Sequence, residues 1–189
     1  MRIRHHASLG LAATACLVLS GCTNAADWNA NRSSQIHSFD TSSIQAQPDI
    51  IAKLPQGALE DGVLDVAAST DYAPAEFLDP SGTAVGYDVD LTNAIAAVLG
   101  VKGKVHTAEF DSIIASIGSK YDAGISSFTV TPERTAEVDM TAYINVGSRF
   151  NVQAGNPKDV ETSDHLKLCG RTIGVQVGTA QETTMRDAA

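Results

Sequence analysis

The sequence predicts an α/β fold with a largely parallel sheet. Short apolar runs alternate with helix-period stretches between Leu64 and Ser126. Turn clusters, Asp71-Tyr72-Ala73-Pro74 and Asp79-Pro80-Ser81-Gly82, break the chain between them. The hydrophobic content of 43% is ordinary for a globular chain.

Each element has a local reason. Leu64 to Ala68 alternates weakly and reads as a first buried strand. Asp88 or Asp90 opens a helix whose apolar stripe is Leu91, Ala94, Ile95 and Val98, and Gly100 closes it. Val101 to Thr107 holds a second strand. Asp111 caps a helix carrying Ile113, Ile114 and Ile117, ended by Gly118. Ala123 to Ser126 is the third strand. Val146 to Gln153 reads as a further strand, and so does Thr172 to Val177 beyond a polar connection from Asn156 to Lys167. Thr179 and Glu182 form a T-x-x-E capping box at one more helix start.

Tyr121 to Arg134 concentrates the chemistry. A strand runs into the hydroxyls of Ser126, Ser127 and Thr129, then into a helix start with Thr131 as N-cap and Pro132 at the first position. Arg134, third in that helix, opposes the helix dipole. Two readings explain it: it binds a carboxylate or phosphate beside free helix amides, or it pairs with Glu137 or Asp139. In parallel sheets ligands bind beyond the carboxyl ends of the strands. Ser69 to Tyr72, Phe110, and Ser126 to Thr129 all follow strands and converge on one cleft edge.

The stretches LDVAASTDYAPAEFLDPSGTAVGYDVDLTNAIAAVLG (from Leu64) and FDSIIASIGSKYDAGISSFTVTPER (from Phe110) resemble the bacterial extracellular solute-binding proteins of family 3. These are the amino-acid receptors of ABC importers. The resemblance runs from about Leu59 to Gln181. It implies a type II periplasmic-binding-protein fold of two lobes, here the first lobe and the start of a truncated second. It implies ligand contacts at Ser69, Tyr72, Phe110, Ser127, Phe128, Thr129, Arg134, Gln176, Thr179 and Ala180. In that reading Arg134, Thr129, Thr179 and the Ala180 amide hold the α-carboxylate, and the Ser127 carbonyl and Thr129 hydroxyl receive the ammonium. Tyr72 and Phe110 are ring walls, and Gln176 faces the ligand side chain. Ser69 stands where some members carry an acid, and Ala75 where an aromatic is usual, so the ligand's identity stays open.

The compartment is legible at the N-terminus. Arg2 and Arg4 precede an apolar segment, Leu9 to Leu19, too short to span a bilayer comfortably. It ends Leu19-Ser20-Gly21-Cys22, which resembles a bacterial lipobox with Cys22 as the lipidated residue. The expected division is a signal peptide over 1–22, a flexible tether over 23–58, a first lobe over 59–156 and the start of a second over 157–189. Trp28 is expected to lie outside the core. The net charge of −9 argues against nucleic acid and against charge-driven docking on anionic lipid. Cys169 is left over, awaiting a partner or serving as a small buried hydrophobe. The histidines have no metal-ligand spacing, and neither metal nor cofactor is expected. The expected partners of this monomer are an amino acid and the membrane permease of an importer. An enzyme on the same fold, similar to the cyclohexadienyl or arogenate dehydratases and using Glu76 or Glu109, and the ligand-binding domain of a sensor are the alternatives.

The lipobox makes a direct prediction. Cys22→Ser moves the exported protein from the membrane fraction to the soluble one, read by fractionation and immunoblot. A variant that still sediments with membranes refutes the anchor.

Overall fold

Val63–Ala68 (β1) is the middle strand of the parallel sheet, in a computed structural model that describes residues 38–188. The expected signal peptide, Cys22 and Trp28 lie outside the described residues. β1 pairs in parallel with β5 (Lys102–Thr107) over its whole length, Val63 facing Lys102 and Ala68 facing Thr107. On its other side Val66 and Ala67 pair with β6 (Ala123–Gly124). Alternation along β1 feeds two cores. Leu64 and Val66 pack with Ala96 on one face, and Ala67 packs with Ile113 and Tyr121 on the other. Complete burial of a side chain such as Ile113 is worth about 1.5–3 kcal/mol.

Between β1 and the first long helix runs a small antiparallel sheet, β2 (Asp71–Tyr72), β3 (Glu76–Leu78) and β4 (Ala84–Val85). The sequence reading had only turns there. The second turn, after Asp79, is where it was expected, but the first falls at residues 73–75 because Asp71 and Tyr72 pair with β3.

Several expectations are corrected. The long helix is α2, Tyr87–Leu99, with Gly86 as its N-cap, so Asp88 and Asp90 sit inside its first turn and do not open it. Its buried face is Asp88, Val89, Thr92 and Ala96, rotated from the Leu91–Ile95–Val98 stripe. Gly103 of β5 causes the rotation: a Cβ there would lie 2.9 Å from the Asn93 side chain and 3.3 Å from the Ala96 Cβ, so this edge of α2 lies closest to the sheet. The next helix, α3 (Phe110–Ser116), starts at the Glu109 N-cap, two residues before Asp111. The expected tether is not free over 38–58. A short helix, α1 (Pro48–Ile51), precedes β1. The Gln47 amide donates to the Val98 carbonyl at 2.8 Å, and Ser38 and Phe39 donate to the Asp90 carboxylate. Chain that caps the exposed side of α2 gains order from it.

The C-terminal stretch departs most. Val146 to Gln153 and Thr172 to Val177 form no strand, because no ladder partner for them exists among the described residues. Their apolar side chains are exposed, Val146 and Val177 by more than half. A one-turn helix α4 (Pro132–Thr135), a 3-10 turn (His165–Leu168) and α5 (Ala180–Asp187) complete the elements. Cys169 is exposed, which corrects the buried alternative.

Gly86 sets the join between the small sheet and α2. At its φ of +124° a Cβ would lie 2.2 Å from the Ala75 carbonyl oxygen. Gly86→Ala should therefore destabilise the protein by at least about 2 kcal/mol, since strain and a backbone clash coincide. Urea unfolding reads this; a change under about 0.5 kcal/mol would show that the join flexes.

Candidate ligand-binding cleft

The carboxyl ends of β1 and β6 and the start of α3 open into a cleft of about 1090 Å³. Its wall includes Ser69, Tyr72, Phe110, Ser127, Thr129 and Arg134 from the sheet side, and Gln176, Thr179 and Ala180 from the C-terminal stretch. Nine of the ten sequence-predicted contacts are thus brought to one surface. Phe128 is not on it. Its ring lies behind, stacked on Phe110 at 4.4 Å between centroids and packed on the Ile113 core. Sequence position placed it in the hydroxyl run, but its side chain turns toward the apolar cluster.

Arg134 is placed by backbone. Thr131 caps α4 as expected, its Oγ1 accepting from the Arg134 amide at 3.3 Å. The guanidinium donates to the Thr129 carbonyl at 2.7 Å and to the Gly178 carbonyl at 2.8 Å. It lies 5.6 Å over the Phe110 ring and 5.3 Å over the Phe128 ring, within cation–π range. Among the described residues no ion pair includes Arg134, so neither Glu137 nor Asp139 holds it. Partial burial pulls its pKa down without supplying a counter-charge.

The C-terminal stretch meets the sheet side at two further points. Gln176 Nε2 donates to Ser69 Oγ at 3.2 Å. Gly178, at φ +77°, sits so close to α3 that a Cβ would lie 2.7 Å from that of Asp111. Thr179 caps α5, its Oγ1 accepting from the Glu182 amide at 3.1 Å, while Glu182 reaches back to the Gly178 amide at 2.7 Å. The capping box therefore forms, displaced by one residue on its return bond. The carbonyl of Ser127 and the hydroxyl of Thr129 make no hydrogen bond among the described residues. Both residues line the cleft.

Sequence reasoning missed the layer beneath. Ser126 Oγ accepts from the Ser69 amide at 3.0 Å and donates to Glu76 Oε1 at 2.6 Å. Glu76 has no exposed surface, and Asp88 beside it is nearly as buried. Burial, chiefly, pushes the Glu76 carboxyl up to about 8; the Ser126 bond opposes this, and Asp88 and Asp71 add to it. Tyr143 accepts from the Ser127 amide at 3.2 Å and donates to Asp88 Oδ2 at 2.8 Å. Burial pushes the Tyr143 phenol well above its ordinary value. The sequence named Glu76 only as a candidate acid of an enzyme; a lone acid between Ala75 and Phe77 carries no local sign that it is buried beside Asp88.

With this geometry in hand, the comparisons are specific. The family model of bacterial extracellular solute-binding proteins, family 3, matches residues 64–187. The chain belongs to that family. Its fold is that of the type II periplasmic binding proteins. The arginine-binding protein ArgT of Corynebacterium glutamicum is 31% identical over 179 residues, covering 94% of this chain and 56% of ArgT. The L-cystine-binding protein TcyJ of Escherichia coli K12 is 33% identical over 129 residues, 67% of this chain and 48% of TcyJ. The ancestral amino-acid-binding protein AncCDT-1, a precursor of cyclohexadienyl dehydratase, superposes with a TM-score of 0.62 at 31% identity, over 69% of this chain and 58% of that one. Arginine-bound ArgBP from T. maritima, as its Gly52Ala mutant, gives 0.60 at 34%, over 67% and 60%. The chain spans about half the length of the curated relatives it matches. Among the described residues of this family-3 chain, no helix is long and apolar enough to cross a membrane.

The raised Glu76 carboxyl has a signed consequence for stability. The folded state holds this proton more tightly than the unfolded state does. The stabilisation is therefore complete below the ordinary value of 4.5 and is lost as pH rises toward about 8. Glu76→Gln should match the wild type at low pH and become progressively the more stable of the two across that window. Paired urea titrations at several pH values measure the difference; a pH-independent difference refutes the buried, raised carboxyl.

Proposed function

We propose that this protein is the binding component of an ABC importer, a monomer anchored outside the cell membrane by lipid on Cys22. It would hold an amino acid between two lobes, the first over about 59–156 and the second beginning near 157, and present it to the membrane permease. The observation that carries this reading is Arg134. Its guanidinium faces the cleft, oriented by two carbonyls and two rings, with no acid partner among the described residues. A fork fixed in place with its charge uncompensated is suited to a carboxylate. The Ser127 carbonyl and Thr129 hydroxyl suit the ligand's ammonium, Tyr72 and Phe110 its aliphatic part. Ser69 and Gln176 make the side-chain wall polar, which favours a polar amino acid. The relatives named for arginine make arginine the first probe.

The enzyme reading has one feature in its favour, a buried acid with a raised pKa on the cleft wall. Glu76 nonetheless gives one oxygen to Ser126 and lies against Asp88, so it does not offer its proton to the cleft. Glu109, the exposed N-cap of α3, is not on the cleft wall. Recovery of unchanged amino acid after prolonged incubation separates retention from turnover.

Charge-assisted hydrogen bonds are worth about 1.5–3 kcal/mol each, and a bidentate pair makes two. Arg134→Ala should weaken amino-acid binding by at least about 100-fold, at about 1.4 kcal/mol per tenfold. Arg134→Lys should recover only part of this, because a point charge lacks the fork. Titration calorimetry of the exported protein with arginine and a panel of other amino acids decides. Equal affinity in wild type and Arg134→Ala, both folded, overturns the carboxylate role.

A further inference from the structure

The cleft rests on two buried acids that lie against each other. Glu76 comes from β3 and Asp88 from the first turn of α2, brought together because Gly86 lets the start of α2 dock on Pro74 and Ala75. The Asp88 amide donates to the Ala75 carbonyl at 2.9 Å, which fixes the two side chains at neighbouring points. Each carboxyl has one oxygen engaged. Glu76 Oε1 accepts from Ser126, and Asp88 Oδ2 accepts from Tyr143 at 2.8 Å and from Ser127 Oγ at 3.4 Å. Each has one buried oxygen without a donor among the described residues, Glu76 Oε2 and Asp88 Oδ1.

Two adjacent buried carboxyls, each with an unsatisfied oxygen, are untenable as dianions. Each orphaned acceptor is costly to bury, more so when charged, and the charges repel. The ion pairs among the described residues are Lys104 and His106 with Asp65, Lys167 with Glu161, and Arg186 with Glu182; none reaches this pair. The other titratable groups facing it are Asp71 from β2, another acid, and the Tyr143 phenol. One proton shared by the two orphaned oxygens would satisfy both.

We propose that Glu76 and Asp88 share a single proton, Glu76 Oε2–H donating to Asp88 Oδ1, and that the pair positions the hydroxyl loop Ser126–Thr129 of the cleft. The assignment of donor follows from the surroundings. Asp88 is the acceptor because it already takes two side-chain donors and stands in the first turn of a helix, where the dipole favours an acceptor. Glu76 has one donor and complete burial, so it keeps the proton. The pair grips the loop at two consecutive residues. Glu76 takes the Ser126 hydroxyl, and Asp88 takes the Ser127 hydroxyl directly and the Ser127 amide through Tyr143. Ser127 sits at φ +49°, a left-handed conformation that serine adopts only when held. Removing the proton places a second charge in the pair and loosens that grip.

The test needs no ligand. Carboxyl-13C and amide NMR of the protein is followed from about pH 4 to about pH 10. The expected result is a Glu76 carboxyl titrating near pH 8, with the Ser126 and Ser127 amides moving at the same midpoint. In Glu76→Gln the amide step disappears while the low-pH amide shifts persist, because a side-chain amide donates where the carboxyl proton did. Should that variant fail to fold, Asp88→Asn serves instead. An amide at that position donates to Glu76, whose midpoint should fall by about 1–3 pH units. A Glu76 carboxyl titrating near 4.5 in the wild type overturns the proposal. So do loop amides that still titrate in Glu76→Gln, or an unmoved Glu76 midpoint in Asp88→Asn.

Discussion

The hydroxyl of Ser126 joins the sheet to the cleft. It accepts the Ser69 amide at the end of β1 and donates to Glu76 of β3. One oxygen thereby fixes where the central strand stops, where the chain leaves β6, and how the small antiparallel sheet lies across the opening. The Ser69 amide is used here, the β1 ladder ends at Ala68, and Ser69 and Tyr72 become cleft wall. The parallel sheet thus ends in polar groups satisfied by one another, which a buried strand end requires.

That arrangement forces an electrostatic problem on the core. Ser126 donates to an acid with no access to water, and the acid's nearest neighbour is another acid. The fold resolves this locally, through helix position, hydroxyl donors and a glycine, and without a basic partner among the described residues. Gly86 is the steric condition: with any side chain there, α2 could not approach Ala75. Backbone sterics at one residue therefore control how closely two acids on different elements approach.

What the sequence revealed follows the range of the forces involved. β1, β5, α2 and the Thr131 cap were legible because alternation, helical spacing and capping act within a few residues. Arg134 stood out because it contradicts its local preference. The β2–β3–β4 sheet was not legible, since strands of two or three residues have no measurable period. Val146 to Gln153 and Thr172 to Val177 have the composition of strands, yet a strand is a pairing, and composition does not supply the partner. The face of α2 was misread because Gly103, on another element, determines which side packs deepest. Phe128 was misplaced for a related reason: position in a loop does not say which way a side chain turns. Glu76 and Asp88 were invisible as a pair because nothing local links them.

The way Arg134 is held bears on the proposal that this cleft takes an anion. A carboxylate partner would fix the guanidinium and also neutralise it. Carbonyl oxygens fix it and leave the charge. Here the two acceptors, Thr129 and Gly178, come from stretches on opposite sides of the cleft, so the fork is aimed by the same contact that brings those stretches together. The rings of Phe110 and Phe128 exclude water from one face and attract the cation through their quadrupoles. Phe128, absent from the cleft wall, still contributes through this stack. The result is a positive group oriented before any ligand arrives, so the ordering cost of the fork falls on folding and not on binding.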